Sequence, residues 1–396
     1  MTKPLDGIRV LDLSRILAGP YCTQFLGEMG ADVIKVEPPG HGDDTRTWGP
    51  PFLDGGEAAY FLAANRNKRG IAVDLKTERG REIVRALAAE ADVVVENFRP
   101  GTLEKWGLGH DTLSELNPRL IHLSITGFGQ TGRYRDRPGY DLIAQGMGGI
   151  MNLTGEPDGA PMKVGLPVAD LNGGTWGIIA VLMALQARHS TGRGQYLDVS
   201  LLEAQMAWHT YAAGSYLQTG DEPERSGAAH PMIAPYQAYR AADGWMNITV
   251  GSQKLWGLFC AALGLDIADD PRFCDNAQRV THRDELNALV EPVLRERPVQ
   301  HWIDELGRAG IPAGPINGMA ELYADPWVHE REQVVELAHP TAGTYRGTGF
   351  PVKASQTPAE PALAPPTLGQ HTDEVLGELG YGADQVVGLR NDGIVN

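Results

Sequence analysis

The sequence predicts an α/β fold in which an open parallel β-sheet is covered by helices on both faces. Short β-rich runs alternate with longer helical patterns through residues 8–201, and this order is typical of a parallel sheet. The pattern changes after Glu203, where a second unit follows. The chain has 396 residues, more than the roughly 100–200 that one core usually serves, so we expect two domains.

The elements of the first half follow one another in a regular order. Strands are predicted over residues 8–13, 31–37, 71–75, 92–98, 120–126 and 196–201. Helices are predicted near residues 21–29, over 78–89 and over 175–187, with a turn at 191–194. This alternation favours an open α/β layer over a barrel.

The second half contains a smaller unit between two connecting segments. A helical stretch to about residue 217 and the polar segment 219–229 precede a unit that begins near Pro235. A strand is predicted at 245–250, helices at 253–263, 283–295, 300–309 and 372–379, a Gly/Pro-rich end of the unit at 310–316 and an extended Pro/Ala-rich connector at 357–367. We therefore assign residues 1–205 to the N-terminal part of a large domain, 206–234 to a linker, 235–330 to a small domain, and 331–396 to a return linker and the C-terminal part of the large domain.

Charge and composition exclude several classes of function. The formal net charge of −16 argues against nucleic acid or an anionic membrane as a partner, because those surfaces attract basic patches. No run approaches the ~18 apolar residues of a membrane span. The three cysteines have no metal-type spacing and the histidines are dispersed, so we expect no metal site. We expect the cysteines to be reduced thiols, and the protein to be cytoplasmic.

One glycine pattern has the form of a dinucleotide-binding motif. Gly127-Phe-Gly-Gln-Thr-Gly132 follows a predicted strand, but the next residues, 133–138, form a charged loop that ends in proline. The motif requires a helix at that point, because the helix N-terminus receives the pyrophosphate. We therefore interpret the pattern as a loop.

The segment 165–175 is more informative. Asp170 ends an apolar run there, and Gly173 and Gly174 precede the predicted helix. Taken alone, an aspartate in this position is more often a helix N-cap than a catalytic carboxylate, and the glycines are as compatible with a simple turn. Other segments of the chain change that balance.

Many segments in one order resemble family III CoA-transferases. The matching residues are 4–13, 18–20, 30–37, 42–43, 46, 67–69, 74–76, 96–101, 138–141, 191–195, 235–237, 310–316 and 368–372. Each segment is a weak signal, but together they span nearly the whole chain. In that family the reactive carboxylate lies at the position of Asp170.

The resemblance also implies a coenzyme A site. The residues at CoA-binding positions are Ala18, Val73, Lys76, Asn97, Phe98, Lys105 and Tyr140. CoA thioesters would be substrates, with no permanently bound cofactor. Leu17 and Pro38 replace a glutamine and an arginine of the formyl-CoA enzyme, which argues against formyl-CoA and oxalate as substrates.

For the fold, the resemblance implies a Rossmann-like large domain with an inserted smaller α+β domain. Each subunit would be ring-shaped, and two rings would interlock in a homodimer.

Two other functions remain open on the same fold. An α-methylacyl-CoA racemase has histidine where this chain has Tyr140, and a phenol exchanges protons poorly near neutral pH. A non-catalytic CoA-binding protein would not need Asp170.

A transferase mechanism follows from the carboxylate. With an ordinary pKa near 3.9, Asp170 would be ionised at neutral pH and would attack the donor thioester, giving an acyl-aspartyl anhydride and then an aspartyl-CoA thioester. Gly173 and Gly174 would offer backbone N–H groups to the oxyanion. The family relatives favour succinyl-CoA as the donor. Arginines that could bind a second carboxylate of a dicarboxylic acid are Arg46, Arg133, Arg135 and Arg137.

Overall fold

The computed structural model describes residues 3–396 and divides them into two compact units. The first unit comprises residues 3–150, 164–214 and 329–396, and the second comprises 151–163 and 215–328. The first unit is therefore built from segments that are distant in the sequence.

A six-stranded, fully parallel sheet forms the centre of the first unit. Its strands are β1 (Arg9–Asp12), β2 (Asp32–Glu37), β3 (Arg69–Ala72), β4 (Val93–Glu96), β5 (Ile121–Thr126) and β6 (Tyr196–Ser200). They lie in the order β3-β2-β1-β4-β5-β6. The order reverses between β1 and β4, so the chain winds outward in both directions from this pair.

Alternating side chains of the strands supply two separate hydrophobic cores. In β4, Val94 faces one core, whereas Val93 and Val95 face the other. Because successive residues of a strand point to opposite faces, a strand that is covered on both sides must be apolar throughout. The predicted sheet, covered on both faces, is confirmed.

Helices cover both faces of the sheet. In the first unit these are α1 (Ala18–Glu28), α2 (Ala59–Ala63), α3 (Glu78–Glu90), α4 (Thr102–Lys105), α5 (His110–Leu116), α6 (Asp141–Met147), α8 (Val168–Thr191), α9 (Leu201–Met206), α17 (Thr372–Glu378) and α18 (Ala383–Asn391). Helices α3, α5, α17 and α18 pack on one face, and α1 and α8 pack on the other. The hairpin of β10 (Val334–His339) and β11 (Gly343–Thr348) completes the unit.

The second unit has its own sheet and core. Three antiparallel strands, β7 (Tyr236–Arg240), β8 (Trp245–Thr249) and β9 (Ala313–Pro315), pair in the order β7-β8-β9. Its helices are α11 (Gln253–Leu263), α12 (Asn276–Thr281), α13 (Arg283–Leu294), α14 (Val299–Arg308), α15 (Met319–Ala324) and α16 (Pro326–Glu330). Helices α7 (Ile150–Leu153) and α10 (Thr210–Thr219) lie where the chain passes between the two units. Large aromatic side chains fill the core of this unit; they are Tyr239, Trp256, Phe259, Phe273 and Trp302.

Helix α8 departs from the sequence prediction. It begins at Val168 rather than at residue 175, so Asp170, Gly173 and Gly174 all lie inside it. By length and composition alone it is apolar enough to cross a membrane, and half of its most apolar window is buried within the protein. It ends at Thr191, and the residue that follows, Gly192, has a φ of 69°, a left-handed conformation that glycine adopts readily.

Candidate active site

The candidate site lies at the carboxyl ends of β1 and β4, where the strand order reverses. The loops that follow these two strands run in opposite directions and leave a crevice between them, as is usual at such a point in a doubly wound sheet. Two cavities open there. Arg15 and Phe98 line both of them, so the cavities adjoin.

We name the cavities by one residue of each. The Asp170 cavity is lined by Asp170, Leu201, Arg135 and residues 15–18, 97–100, 125–128 and 137–140. The Lys76 cavity is lined by residues 13–15, 35–38, 41–44 and 73–76, with Phe98 and Trp106.

Asp170 is the third residue of α8 and is capped from outside the helix. Pro167, which precedes the helix, provides no side-chain cap. The Asp141 carboxylate accepts the N–H of Ala169 at 2.8 Å and that of Asp170 at 3.4 Å, and Gln145 Nε2 donates to it at 2.7 Å. Asp141 therefore takes the capping role that the sequence alone would give to Asp170. The Asp170 carboxylate is left to face the cavity.

The environment of Asp170 makes it an unusual carboxyl group. Burial, followed by the nearby charge of Asp141, raises the pKa of Asp170 to about 7. The expectation of an ordinary acid that is fully ionised at neutral pH is therefore wrong. Burial and the charges of Asp170, Asp141 and Asp43 also raise the pKa of Tyr60 to about 12, which places this phenol in the same electrostatic environment.

Gly173 and Gly174 serve a packing role. Both are buried inside α8, beyond its first turn, where backbone N–H groups bond within the helix. A Cβ on Gly174 would lie 2.6 Å from the Ala18 carbonyl oxygen, and one on Gly173 would lie 2.5 Å from Leu201. The predicted oxyanion role for these glycines is therefore wrong. They let α8 approach α1 and α9 closely.

The CoA-binding positions that the sequence suggests are distributed between the two cavities. Ala18, Asn97 and Tyr140 line the Asp170 cavity, Val73 and Lys76 line the other, and Phe98 lines both. Lys105 is exposed at the end of α4 and lines neither cavity. The Asn97 amide is occupied by the Arg15 backbone, accepting its N–H at 2.9 Å and donating to its carbonyl at 2.7 Å.

Of the four candidate arginines, two line the Asp170 cavity. Arg46 is held by Glu37 at 2.7 and 2.8 Å and lies 3.6 Å above the Phe61 ring, and Arg133 lies against Tyr134 outside the cavity lining. Arg135 and Arg137 line the cavity, together with two arginines that the sequence analysis missed. These two are Arg15 and Arg99.

Sequence reasoning missed these arginines and Tyr60 for different reasons. Arg15 and Arg99 each follow a strand at the reversal point, and this signal is visible only once the order of the strands in the sheet is known. Tyr60 lines neither cavity, but tertiary packing brings it close enough for the Asp170 charge to raise its pKa, and no signal in the sequence indicates this. Within residues 3–396, no cluster of three or more His, Cys, Asp or Glu side chains could hold a metal ion.

Known proteins similar to this chain agree on one family. The family model described as CoA-transferase family III matches residues 5–372. The chain belongs to this family. A succinate–glutarate CoA-transferase of Agrobacterium fabrum is 45% identical over 382 residues, covering 95% of this chain and 96% of the relative. A human succinyl-CoA:glutarate CoA-transferase is 41% identical over 396 residues, covering 100% and 90% respectively.

The solved structures agree with this assignment. A CaiB/BaiF family protein from Brucella suis superposes with a TM-score of 0.86 at 45% identity, covering 96% of this chain and 100% of that one. This family III CoA-transferase is therefore an enzyme whose substrates are CoA thioesters. Its parallel α/β architecture is that of the family.

Proposed function

We propose that this enzyme transfers coenzyme A from succinyl-CoA to a dicarboxylic acid and that Asp170 carries the acyl group. The observation that carries the proposal is the half-buried carboxyl group of Asp170, which has a raised pKa, does not cap α8 and faces a cavity at the reversal point of the sheet. The relatives named above, which act on succinate or succinyl-CoA and on glutarate, support the choice of substrates.

The proposed reaction passes through an anhydride, a thioester and a second anhydride at Asp170, and each bond that forms is matched by one that breaks. Its carboxylate attacks the thioester carbonyl of the donor, the C–S bond breaks, and CoA thiolate leaves an acyl-aspartyl anhydride. The thiolate attacks the aspartyl carbonyl of the anhydride and releases succinate, which leaves an aspartyl-CoA thioester. The acceptor carboxylate attacks this thioester and expels the thiolate. Attack of the thiolate on the acceptor carbonyl of the second anhydride then gives the new acyl-CoA and frees Asp170.

The raised pKa of Asp170 suits this chemistry. A carboxylate that is stabilised less by its surroundings is a more basic nucleophile, and a pKa of about 7 leaves about half of it ionised near neutral pH. No separate base is needed, because the attacking group carries its own negative charge. Desolvation by the cavity thus contributes to nucleophilicity.

Coenzyme A would extend across both cavities. We place its reactive end near Asp170, Ala18 and Tyr140, and its nucleotide end near Val73 and Lys76. Phe98, which lines both cavities, would contact the pantetheine arm at the junction. The role of Lys105 as a more peripheral contact to the phosphates of CoA stays a prediction.

Asp170→Ala tests the central assignment. The variant should fold and still bind CoA, but transfer should be lost, because no other covalent carrier is proposed. Hydroxylamine added during turnover of the wild-type enzyme should modify the peptide that contains Asp170, as mass spectrometry would detect. Retention of a few per cent of wild-type kcat, or turnover without any modified peptide, would contradict the proposal.

Arg137 is the arginine we propose to bind the distal carboxylate of the acceptor. It lines the Asp170 cavity and forms no ion pair with any carboxylate among residues 3–396, whereas Arg135 pairs with Asp136 at 3.1 Å. Loss of a charge-assisted hydrogen bond costs about 1.5–3 kcal/mol, so Arg137→Gln should raise KM for a dicarboxylate acceptor roughly tenfold or more. KM for a monocarboxylate should change little.

Arg133→Gln is the matched control for this variant. It removes the same charge from the same loop, but Arg133 does not line the cavity. We expect near-wild-type KM values for both acceptors. Equal effects of Arg133→Gln and Arg137→Gln would mean that general charge, rather than a specific contact, governs acceptor binding.

A racemase on this fold is the alternative that these side chains disfavour. Racemisation needs two acid/base groups on opposite faces of the α-carbon. No histidine is found among the described residues that line the Asp170 cavity, and the Asp141 carboxylate is occupied by backbone N–H groups. Wash-in of deuterium at the α-carbon of a 2-methylacyl-CoA would instead support the racemase.

We also propose that the enzyme is a homodimer. Helix α8 exposes a row of large apolar side chains, and Trp176, Ile179 and Met183 line one concave surface with Ala207. Exposed apolar patches of this kind usually mark interfaces. Further exposed apolar side chains lie in α10 and in the segment 316–327; they are Tyr211, Tyr216, Leu217, Ile316, Met319, Leu322, Tyr323 and Trp327.

A further inference from the structure

In the loop between β1 and α1, residues 13–17, the backbone groups of the three central residues are held by side chains from outside the loop. Ser14 N–H is bound by Asp12, and the Ser14 carbonyl accepts from Lys35 Nζ at 2.9 Å. The Arg15 N–H and carbonyl are both bound by Asn97. Five backbone groups of the 13–17 loop are thus bound from outside when the Ile16 N–H is included. This loop lines both the Asp170 and the Lys76 cavity.

Ile16 is the strained point of the 13–17 loop. Its φ of 69° is in the left-handed region, which a β-branched residue almost never adopts. Its N–H donates to both oxygens of the Asp43 carboxylate, at 3.0 and 3.2 Å. Such conformations persist only where the surroundings impose them, and they cluster at functional sites. Ile16 itself lines the Asp170 cavity.

Asp43 is the residue that imposes this conformation. Its carboxylate pairs with Lys35 Nζ at 3.1 Å, and both side chains are essentially inaccessible to solvent. Burial tends to raise the pKa of Asp43, but Lys35 and hydrogen bonds from Thr45 outweigh it and lower the pKa to about 2. The Asp43 N–H is in turn bound by Glu37 at 2.9 Å. Asp43 is therefore a fixed, charged acceptor for the Ile16 N–H.

We propose that Asp43, together with Lys35, is a positioning residue that sets the affinity for acyl-CoA by holding the 13–17 loop in its strained conformation. Lys35 fixes Ser14 and Asp43 fixes Ile16, so the pair controls both sides of Arg15, which lines both cavities. The inference rests on the proposed function only in taking acyl-CoA as the ligand.

Asp43→Asn tests this positioning role. The amide lacks the charge that balances Lys35 and offers one oxygen instead of two, so the loop should leave its native conformation. Loss of a charge-assisted contact predicts a roughly tenfold or greater increase in KM for acyl-CoA and in Kd for CoA measured by calorimetry. Both KM and Kd should be corrected for the fraction of the variant that is folded.

Glu28→Gln is the matched control. Glu28 forms an equally buried ion pair with Arg66, at 2.6 Å, but does not contact the 13–17 loop. The variant should lose stability as Asp43→Asn does and keep wild-type KM and Kd. If Asp43→Asn also keeps them, Asp43 is merely structural and the inference is overturned.

Two further variants keep the test decisive. If Asp43→Asn fails to fold, Lys35→Met/Asp43→Asn removes both charges together, so that no unpaired charge stays buried. The increase in Kd for CoA should persist in this double variant.

Ile16→Gly added to Asp43→Asn should lower Kd for CoA again, because glycine adopts positive φ without strain. No response to Ile16→Gly would contradict the inference.

These measurements separate the inference from the proposed function. If the wild-type enzyme transfers CoA but Asp43→Asn has an unchanged Kd, only the positioning role fails. If the wild-type enzyme transfers CoA to no acceptor, the proposed function fails, and the Kd for CoA still tests the role of Asp43.

Discussion

At the scale of single residues, the pair Asp141 and Asp170 links helix capping to reactivity. Asp141 caps α8 and also contributes to the raised pKa of Asp170. Since only ionised Asp170 can attack, kcat/KM should rise about tenfold per pH unit below pH 7 and level off above it. A pH–rate profile with a midpoint near 4 would contradict this prediction.

Asp141→Asn tests the electrostatic part of that effect. The amide oxygen can still accept the Ala169 N–H, but the negative charge is gone, so the pKa of Asp170 should fall. The midpoint of kcat/KM should therefore move to lower pH, while burial keeps it above the pKa of an ordinary aspartate. Asp136→Asn, which neutralises an exposed carboxylate outside the cavity lining, should leave the midpoint unchanged.

Sequence could identify Asp170 but not its chemistry. The position follows from the family resemblance, because the motifs around it occur in a fixed order. The pKa depends on burial and on Asp141, which lies 29 residues away in the chain and approaches only after folding. The N-terminal cap of α8 could not be predicted either, because it is provided by the distant Asp141 side chain rather than by the residue that precedes the helix.

At the scale of elements, the glycines of α8 determine how closely it packs. A Cβ on Gly174 would lie 2.6 Å from the Ala18 carbonyl and 2.9 Å from Tyr21, so Gly174→Ala must separate α8 from α1. We expect a loss of about 1–3 kcal/mol in the free energy of unfolding, as is usual for overpacking. Chemical denaturation would measure it.

Gly388→Ala is the control for that substitution. Gly388 also lies inside a helix of the same unit, α18, but a Cβ there meets no atom within 4 Å. Alanine is a better helix former, so this variant should be unchanged or more stable. Equal losses in both variants would show that helix packing at Gly174 is not the cause.

The same glycines explain where sequence prediction failed. Gly173 and Gly174 have low helix propensity, so the helix was predicted to begin after them, whereas packing against α1 overrides propensity and α8 begins at Val168.

Long elements with clear patterns were predicted well, and α11 has the predicted bounds, residues 253–263. The hairpin β10–β11 was missed. The loop at 127–132 was predicted correctly, since no helix follows it before α6.

At the scale of the whole molecule, the proposed interlocked homodimer has a kinetic signature. Two rings that pass through each other would bury more than the roughly 1,600 Å² of a standard interface, so folded monomers should be negligible. Differently tagged dimers mixed under native conditions should form almost no hybrids until they are partly unfolded, as native mass spectrometry would measure. Rapid exchange, or an active monomer at nanomolar concentration, would contradict interlocking.

The split composition of the first unit has a consequence for synthesis on the ribosome. Val375, Leu376, Leu389 and Val395 complete the core on one face of the sheet, and Val395 forms a β-bridge with Val73. Helices α3 and α5 pack on the same face, but the nascent chain leaves the rest of that apolar face uncovered until residues 372–396 emerge. The second unit, whose residues have all left the ribosome earlier, can fold first, which reverses the usual order in which N-terminal domains fold before later ones.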